Sequence, residues 1–508
     1  MKSNAMMPTE NPKTIQARAT AALLVALAVR SSAAFGLNVV GELLRVPADY
    51  PTISQAIEAA SSGDEIRVAW KDGGYRERLV ISSDHVRSLR IAGEGQGERP
   101  TIAWADSSYG VIELSNLDNL PFEVELEHLV IDGSDGARYG IKLRNALAPD
   151  PDQVYNKIEI KDCVVGHAGF GIELGTRCGA NGCDGQWGAV DQRKLGYSRS
   201  EILISRSVIY ENYRDGLNLY RVGGELVGNL VFNNGDEGCH TTDTRDFRVA
   251  HNIFDHNLSI SLHLHLCQGG VVENNVITRS QRSHKDGGGL GIAVGGGLSE
   301  GVIFIDNNLV AYNAANGILV QPTEIRVDSL TCIPASTQAE LRNNIVYGNG
   351  WAEPDSGGRQ HQIRFERQDL PEMRMLCEYN LFRSYGHLIW GESIDDSNLR
   401  GTDPLFSVEP DPSAYGAVVT LEDAWGVIRG YELSTESPCV DGGDPLASYH
   451  DAPGGLTKGT SRNDIGIFGG PRAIWPFLEP RRHSIPGTGA ITPLSGRGPG
   501  ARIGSTKR

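Results

Sequence analysis

From residue 161 to residue 349 the chain repeats one short pattern: runs of about three to six residues in which apolar and polar positions alternate, each closed by Asn and Gly. One copy reads Gly228-Asn229-Leu230-Val231-Phe232-Asn233-Asn234-Gly235, and the next His251-Asn252-Ile253-Phe254-Asp255-His256-Asn257. Later copies open on Asn274-Asn275, Asn307-Asn308 and Asn343-Asn344. Runs this short cannot form helices, and a period of two marks strands. Aligned, they give two Asn columns: Asn229, Asn252, Asn275, Asn308 and Asn344, then Asn212, Asn234, Asn257, Asn313 and Asn349. The first column steps by 23, 23, 33 and 36 residues, so one common unit carries insertions. A strand unit at this period predicts a β-solenoid, each strand pairing in parallel with its copies about 4.8 Å away. Crossovers between parallel strands are right-handed. The expected fold is therefore all-β, a right-handed parallel β-helix. The Asn columns should stack in its turns as hydrogen-bonded ladders rather than bind a ligand.

The flanks read differently. Leu44-Arg45-Val46-Pro47 is followed by a short amphipathic helix within 50–60, with Thr52 as its N-cap, placed to cover the open end of the first coil. Ahead of it, Lys2, Lys13 and Arg18 precede an apolar stretch at 19–29 and the small residues Ser32-Ala33-Ala34, so 1–34 reads as an export signal. The apolar stretch is too short to span a membrane, and no later segment is long and apolar enough to do so. The expected division is 1–34 signal peptide, 44–390 β-helix, 391–480 a C-terminal coil and capping segment, and 484–508 a disordered tail rich in Gly, Pro, Ser and Arg. An exported chain of this kind is expected to be secreted, periplasmic or extracellular, and monomeric.

Composition narrows the partners. Net charge is −16, which argues against nucleic acid, since phosphate binding needs a basic face. A polyuronate would need a local basic patch or a bound cation. Of the eight Cys, Cys178 and Cys183 flank a Gly-rich loop as a candidate pair; Cys332 and Cys377 fall in insertions, and Cys163, Cys239 and Cys267 read as buried thiols. No CxxC is present, so a thiolate zinc site is not expected.

Thr52-Ile53-x-x-Ala56-Ile57, Gly63-Asp64-x-Ile66-x-Val68 and Gly74-Tyr75-Arg76-Glu77-x-Leu79-x-Ile81 resemble the N-terminal cap and first coil of the pectin lyase-like superfamily. The Asn-rich coils resemble that superfamily's carbohydrate-binding β-helix repeats, and the likeness runs from about 44 to 390. It implies a secreted right-handed parallel β-helix. It does not choose among lyases, hydrolases, esterases, epimerases and non-enzymes. The segments 437–445 and 462–471 resemble the closing segment of many exported bacterial β-helix proteins, which implies packing on the far end of the solenoid. Turn formation is the role favoured for Asp441, Asp444, Asp451 and Asp464 there; calcium ligation is the alternative.

Strand alternation locates the candidate chemistry. After Gly140, Gly171, Gly216 and Gly238, residues Leu217, Leu219, Cys239, Thr241, Leu262 and Leu264 should point inward. One outward column is then Lys142, Glu173, Asn218, His240 and His263; a second is Arg144, Tyr220, Thr242 and His265. Asp215 and the pair Asp236-Glu237 stand in the turns just before, and Arg221 just after. The columns continue into Ala293, Gly295, Leu319 and Gln321, so the polar cluster is local, and an inserted loop at 176–200 with Trp187 lies beside it. A half-exposed sheet face is often only solvated, but convergent acids, imidazoles, amides and cations form a candidate groove for a polysaccharide. Asp215, Glu237, His240 and His263 are the candidate catalytic residues. Lys142, Arg144, Glu173, Asn218, Tyr220, Arg221, Asp236 and His265 are the candidate substrate contacts.

Three readings stay open. Arg214-Asp215-Gly216, Asp236-Glu237-Gly238 and His263 resemble polygalacturonase motifs in coil position, with Arg214, Glu237 and the missing Gly residues around His263 as departures; two carboxylates one coil apart would serve hydrolysis. Elimination from a uronate needs a base (His240, His263, Tyr220 or Lys285) and a neutraliser of the sugar carboxylate (Arg144, Arg221, Arg245 or calcium). A transition metal on His240, His263 and His265 is a further alternative. The third reading is a non-catalytic glycan-binding solenoid, whose expected mark is a uniform outer face with spread aromatics.

Overall fold

The computed structural model describes residues 41–475 except 96, 119, 135, 146–152, 176–188, 191–198, 282–288, 297–300, 322, 327–331, 336, 351–360, 366–373, 384–386, 391–393, 409–425, 427, 454–455 and 474. The expected export signal, the tail, Cys178, Cys183, Trp187 and Lys285 lie outside the described residues.

The chain winds as a parallel β-helix with three faces. A front sheet includes Tyr139–Asn145, Phe170–Leu174, Leu217–Tyr220, Cys239–Thr242, Leu290–Gly296 and Ile318–Gln321. A back sheet includes Val154–Lys161, Arg199–Ser205, Val222–Val227, Arg245–Ala250 and Val302–Asp306. A flank sheet is built of three-residue strands such as Leu230–Phe232, Ile253–Asp255 and Val276–Thr278. The 14-residue strand Ile260–Glu273 passes from front to back without a break, Leu266 turning the corner at φ 54°. Pairing is parallel with one residue per coil: Leu230, Ile253, Val276 and Leu309 succeed one another on the flank.

The corner between back and flank explains the doubled Asn motif. His251, Asn274, Asn307, Asn343 and Tyr379 all take left-handed φ between 52° and 57°, a region that Asn tolerates better than most residues. The residue after each is the ladder Asn, turned into the coil. Asn229, Asn252, Asn275, Asn308 and Asn344 each donate from Nδ2 to the next Oδ1 at 2.8–3.0 Å, and the ladder extends through Asn380 to Asn398. The second column links Asn212 to Asn234 and Asn257, and Asn313 to Asn349. Both expected ladders are present.

At the N-terminus, helix Ile53–Ala59 is capped as expected by Thr52, whose Oγ1 accepts from Gln55 N at 3.2 Å. Glu77 from the first coil also accepts from the backbone N–H groups of Ile53 and Ser54. Ile53, Ala56 and Ile57 are buried.

The C-terminal segment corrects an expectation. Leu399–Arg400 adds the last flank-sheet rung to the coil, but the described residues of 437–445 and 462–471 lie as a strap along the flank sheet rather than on the far end. Phe406, Tyr431, Ile465, Ile467, Phe468 and Trp475 share an apolar cluster with Leu230, Ile253, Val276, Leu309 and Ile345. The outward Asn of each corner fastens it: Asn274 Nδ2 donates to Ile467 and Gly469 carbonyls at 3.1 and 2.9 Å, and Asn307 Nδ2 to those of Asp464 and Gly466 at 2.9 and 3.2 Å. His251 Nε2 meets the Arg472 carbonyl at 2.8 Å. The strap's acids act chiefly as turn residues. Asp441, Asp451 and Asp464 accept backbone N–H groups, and Asp444 accepts from Leu446 N and Arg342. Cys163, Cys239 and Cys267 are buried free thiols as expected. Cys377 is also buried and free, on the back-sheet strand Arg374–Glu378 rather than in an insertion.

Candidate functional site

The front sheet assembles the expected columns. Lys142 pairs in register with Glu173, Glu173 with Asn218, Asn218 with His240, and His240 with His263. Beyond His263 the column passes to Ala293 and Leu319. Tyr220, Thr242 and His265 form the second column. Leu217, Leu219, Cys239, Thr241, Leu262 and Leu264 are buried inside the coil.

What alternation did not foresee is burial of the outer side as well. Relative exposure is 3% for Glu173, 1% for Asn218, 4% for Tyr220 and 1% for Arg221. Period-two patterning separates the inside of a coil from its outside and carries no information about what lies over the outside. Two insertions leave the same edge of the front sheet, after Phe170–Leu174 and after Ile318–Gln321, with four strands between them. They meet each other: Ala189 and Val190 pair in parallel with Ile325 and Arg326, and Thr323–Arg326 pairs antiparallel with Cys332–Ala335.

Burial separates two of the candidate cations from solvent. Lys142 Nζ is paired with the Glu173 carboxylate and donates to the Gly175 carbonyl at 3.1 Å; burial lowers its pKa against the pull of Glu173. Arg221 Nη1 donates to Asp243 Oδ2 at 2.9 Å, and Gln268 donates to the other Asp243 oxygen at 2.7 Å. Arg221 and Asp243 occupy equivalent left-handed corners one coil apart (φ 53° and 56°), a pairing that the sequence carries as an Arg and an Asp 22 residues apart. Lys142 and Arg221 thus hold the coils together. Arg144 is the open cation, with a half-exposed side chain 3.6 Å from Glu113.

At the centre one carboxylate holds two imidazoles. Glu237 Oε1 lies 3.0 Å from His263 Nδ1, and Oε2 lies 3.2 Å from His240 Nδ1. A carboxylate only accepts, so each Nδ1 carries its hydrogen and each Nε2 a lone pair. Asp215 Oδ1 accepts from Glu237 N at 3.2 Å and so fixes that turn. The His240 and His263 rings stack at 4.9 Å, and His265 lies 5.4 Å from His263. Thr242 Oγ1 lies 3.2 Å from His240 Nε2. His263 Nε2 is buried with no protein partner, as are both amide atoms of Asn218. Burial pushes the His263 pKa down to about 4 and, with neighbouring His263 adding to it, that of His265 to about 3, so both rings are neutral at pH 7. Asp236, exposed in the turn, pulls His263 slightly the other way.

Chemically, the two carboxylates one coil apart are committed, Asp215 to a backbone amide and Glu237 to two imidazoles. The uncommitted groups are an imidazole lone pair and a carboxamide. Among the described residues, Glu237, His240 and His263 are the one group of His, Cys, Asp and Glu with donor atoms close enough to share an ion, all within 4.8 Å of one another.

A family model described as a right handed beta helix region matches residues 156–357. No curated protein matches the chain. Similar solved structures include pectate lyase Pel9A, at 14% identity and TM-score 0.42, covering 84% of this chain and 96% of that one. Another is the A-module of a mannuronan C-5 epimerase of Azotobacter vinelandii, at 14% identity, TM-score 0.36 and coverage of 68% and 92%. A third is XylC with xylose, at 12% identity, TM-score 0.42 and coverage of 72% and 86%.

Proposed function

We propose that this chain, a right-handed parallel β-helix whose sequence resembles the pectin lyase-like superfamily, is an exported protein that cleaves a uronate-containing polysaccharide by β-elimination, with His263 as the base. The observation that carries the reading is the buried, unpartnered Nε2 of a neutral imidazole whose Nδ1–H is held by Glu237. A base positioned by a second group is what proton abstraction beside a carboxylate requires. His263 Nε2 takes the C5 proton, the electron pair forms the C4–C5 double bond, and the C4–O bond to the leaving sugar breaks, its oxygen taking a proton from water while the His263 imidazolium returns its own to solvent. The Asn218 carboxamide, next to His240 in register and equally without partner, is the donor suited to the uronate carboxylate as charge develops. Arg144, half-exposed on the same sheet several coils away and beside Glu113, is the open cation among the candidate contacts. Elimination is preferred to hydrolysis because Asp215 and Glu237 are both engaged, leaving no free acid–base pair of carboxylates.

The test is a panel of polyuronates and neutral glycans, read in parallel for unsaturated product by absorbance and for new reducing ends. Elimination raises both signals on a polyuronate, and His263→Ala removes both. Reducing ends without unsaturation would make the protein a hydrolase. Binding without either product would make it a glycan-binding solenoid.

A further inference from the structure

The Glu237–His240–His263 group has a second capability, independent of whether a glycan is cleaved. We propose that these three side chains bind one divalent metal ion of the zinc class, through the Glu237 carboxylate and Nδ1 of both imidazoles. Three observations converge on it.

The first is distance. Zinc bonds to imidazole nitrogen and carboxylate oxygen are about 2.0–2.2 Å, so neighbouring ligands around it stand roughly 2.9–3.5 Å apart. The two carboxylate–imidazole separations are 3.0 and 3.2 Å, and all three donors lie within 4.8 Å of one another. The hydrogen-bonded cluster is therefore close to the spacing that a shared ion needs. The second is support around the ligands. Ligating imidazoles usually donate their other N–H to a fixed acceptor. Thr242 Oγ1 stands 3.2 Å from His240 Nε2, and Asp215 holds the backbone of Glu237. The third is a buried polar side chain beside the cluster with no protein partner. Asn218, in register with His240, is 1% exposed and neither amide atom has a protein partner. A three-ligand site keeps an open position, and a buried carboxamide beside it is a place for whatever fills that position.

Donor type selects the metal. Two nitrogens and one oxygen suit zinc and its neighbours, whereas calcium takes six to eight oxygens. Loading the ion moves the His263 hydrogen from Nδ1 to Nε2 and removes the lone pair proposed above as the base. Zinc and proton abstraction would then exclude one another.

The experiment is calorimetric titration of the chelator-treated full chain with zinc, cobalt and calcium, needing no substrate. Zinc should bind once per chain, cobalt should show a ligand-field spectrum of mixed nitrogen and oxygen ligation, and calcium should bind far more weakly. Losing an outer partner of a ligand typically costs 10–100-fold in affinity, so losing a ligand in Glu237→Gln or His263→Ala should cost at least about 100-fold. His265→Ala should bind zinc as the parent does. Far-UV dichroism identifies a variant that has unfolded, in which case near-isosteric Glu237→Gln decides. Absence of zinc binding, equal affinity in Glu237→Gln and parent, or calcium binding as tight as zinc would overturn the site. A metal-free chain that cleaves nothing refutes the cleavage reading whether or not it binds zinc; a chain that cleaves when metal-free but binds no zinc refutes only this one.

Discussion

Asn275 and Asn218 are both buried, at 0% and 1% exposure, and their surroundings could hardly differ more. Asn275 donates to the Val249 and Glu273 carbonyls and to Asn308 Oδ1, and accepts from Asn252 N and Nδ2, at 2.8–3.0 Å throughout. Asn218 makes no such bond at either atom. A buried amide normally finds partners because leaving it without them is costly. Where a coil repeats, the partner is supplied by the next copy of the same residue. Where a column changes from Lys142 through Asn218 to His263, no copy exists to satisfy it. Repetition makes structure, and its interruption is where a ligand can be read.

The largest effect should follow from breaking the repeated side. Asn275→Ala would strand several buried groups, each costing about 1–3 kcal/mol, so a loss of at least about 4 kcal/mol is expected. The urea midpoint of unfolding measures it. A loss below about 1 kcal/mol would show that the ladder is ornamental, and the comparison would fall.

The strap should respond next. Asn307→Ala removes an amide that holds the Asp464 and Gly466 carbonyls from outside the coil, at a cost of about 1–3 kcal/mol. Hydrogen exchange should quicken across 440–473 and not in the front sheet. Uniform quickening would mean that strap and coils open as one unit.

Acid should move the two regions in opposite directions. Burial depresses His263 to about 4 and His265 to about 3. Their contribution to stability is complete above the unfolded value near 6.5 and is lost as pH falls toward the folded values. Burial raises Asp451 to about 7 and Asp464 to about 6, with Asp464 and Asp441 opposing further charge. Their contribution is complete below the unfolded value near 3.8 and is lost as pH rises through about 6–7. Between pH 6.5 and 4, in chelator, protection relative to the intrinsic exchange rate at each pH should therefore fall at 217–265 and rise at 451–470. Movement of both regions in the same direction would contradict these assignments.

How much of this was legible depended on the range of the interaction. The ladders and both outward columns follow from alternation and period, since each Asn or His meets its equivalent one coil on. The strap's position was not legible. Asn274 reaches Ile467 across 193 residues, and nothing in the local pattern of either names the other. Nor did alternation reveal that Arg221 and Lys142 are held in ion pairs, because a charged residue on an outward position reads the same whether water or Asp243 faces it.

The smallest effect on stability should fall on Asn218, and it is the sharpest test. Asn218→Leu keeps the branching and heavy-atom count of the side chain and removes two polar atoms that have no protein partner. Replacing an unsatisfied buried polar group by an apolar one of similar shape is close to neutral or stabilising, so the urea midpoint should shift by less than about 1 kcal/mol equivalent. The same change removes the proposed donor to the uronate carboxylate, and one such donor is worth roughly 10²–10³ in turnover. Stability and function should thus separate at Asn218 and coincide at Asn275. A large loss of stability in Asn218→Leu would show that the amide is satisfied in solution, and its assignment as the donor to a bound uronate would fall.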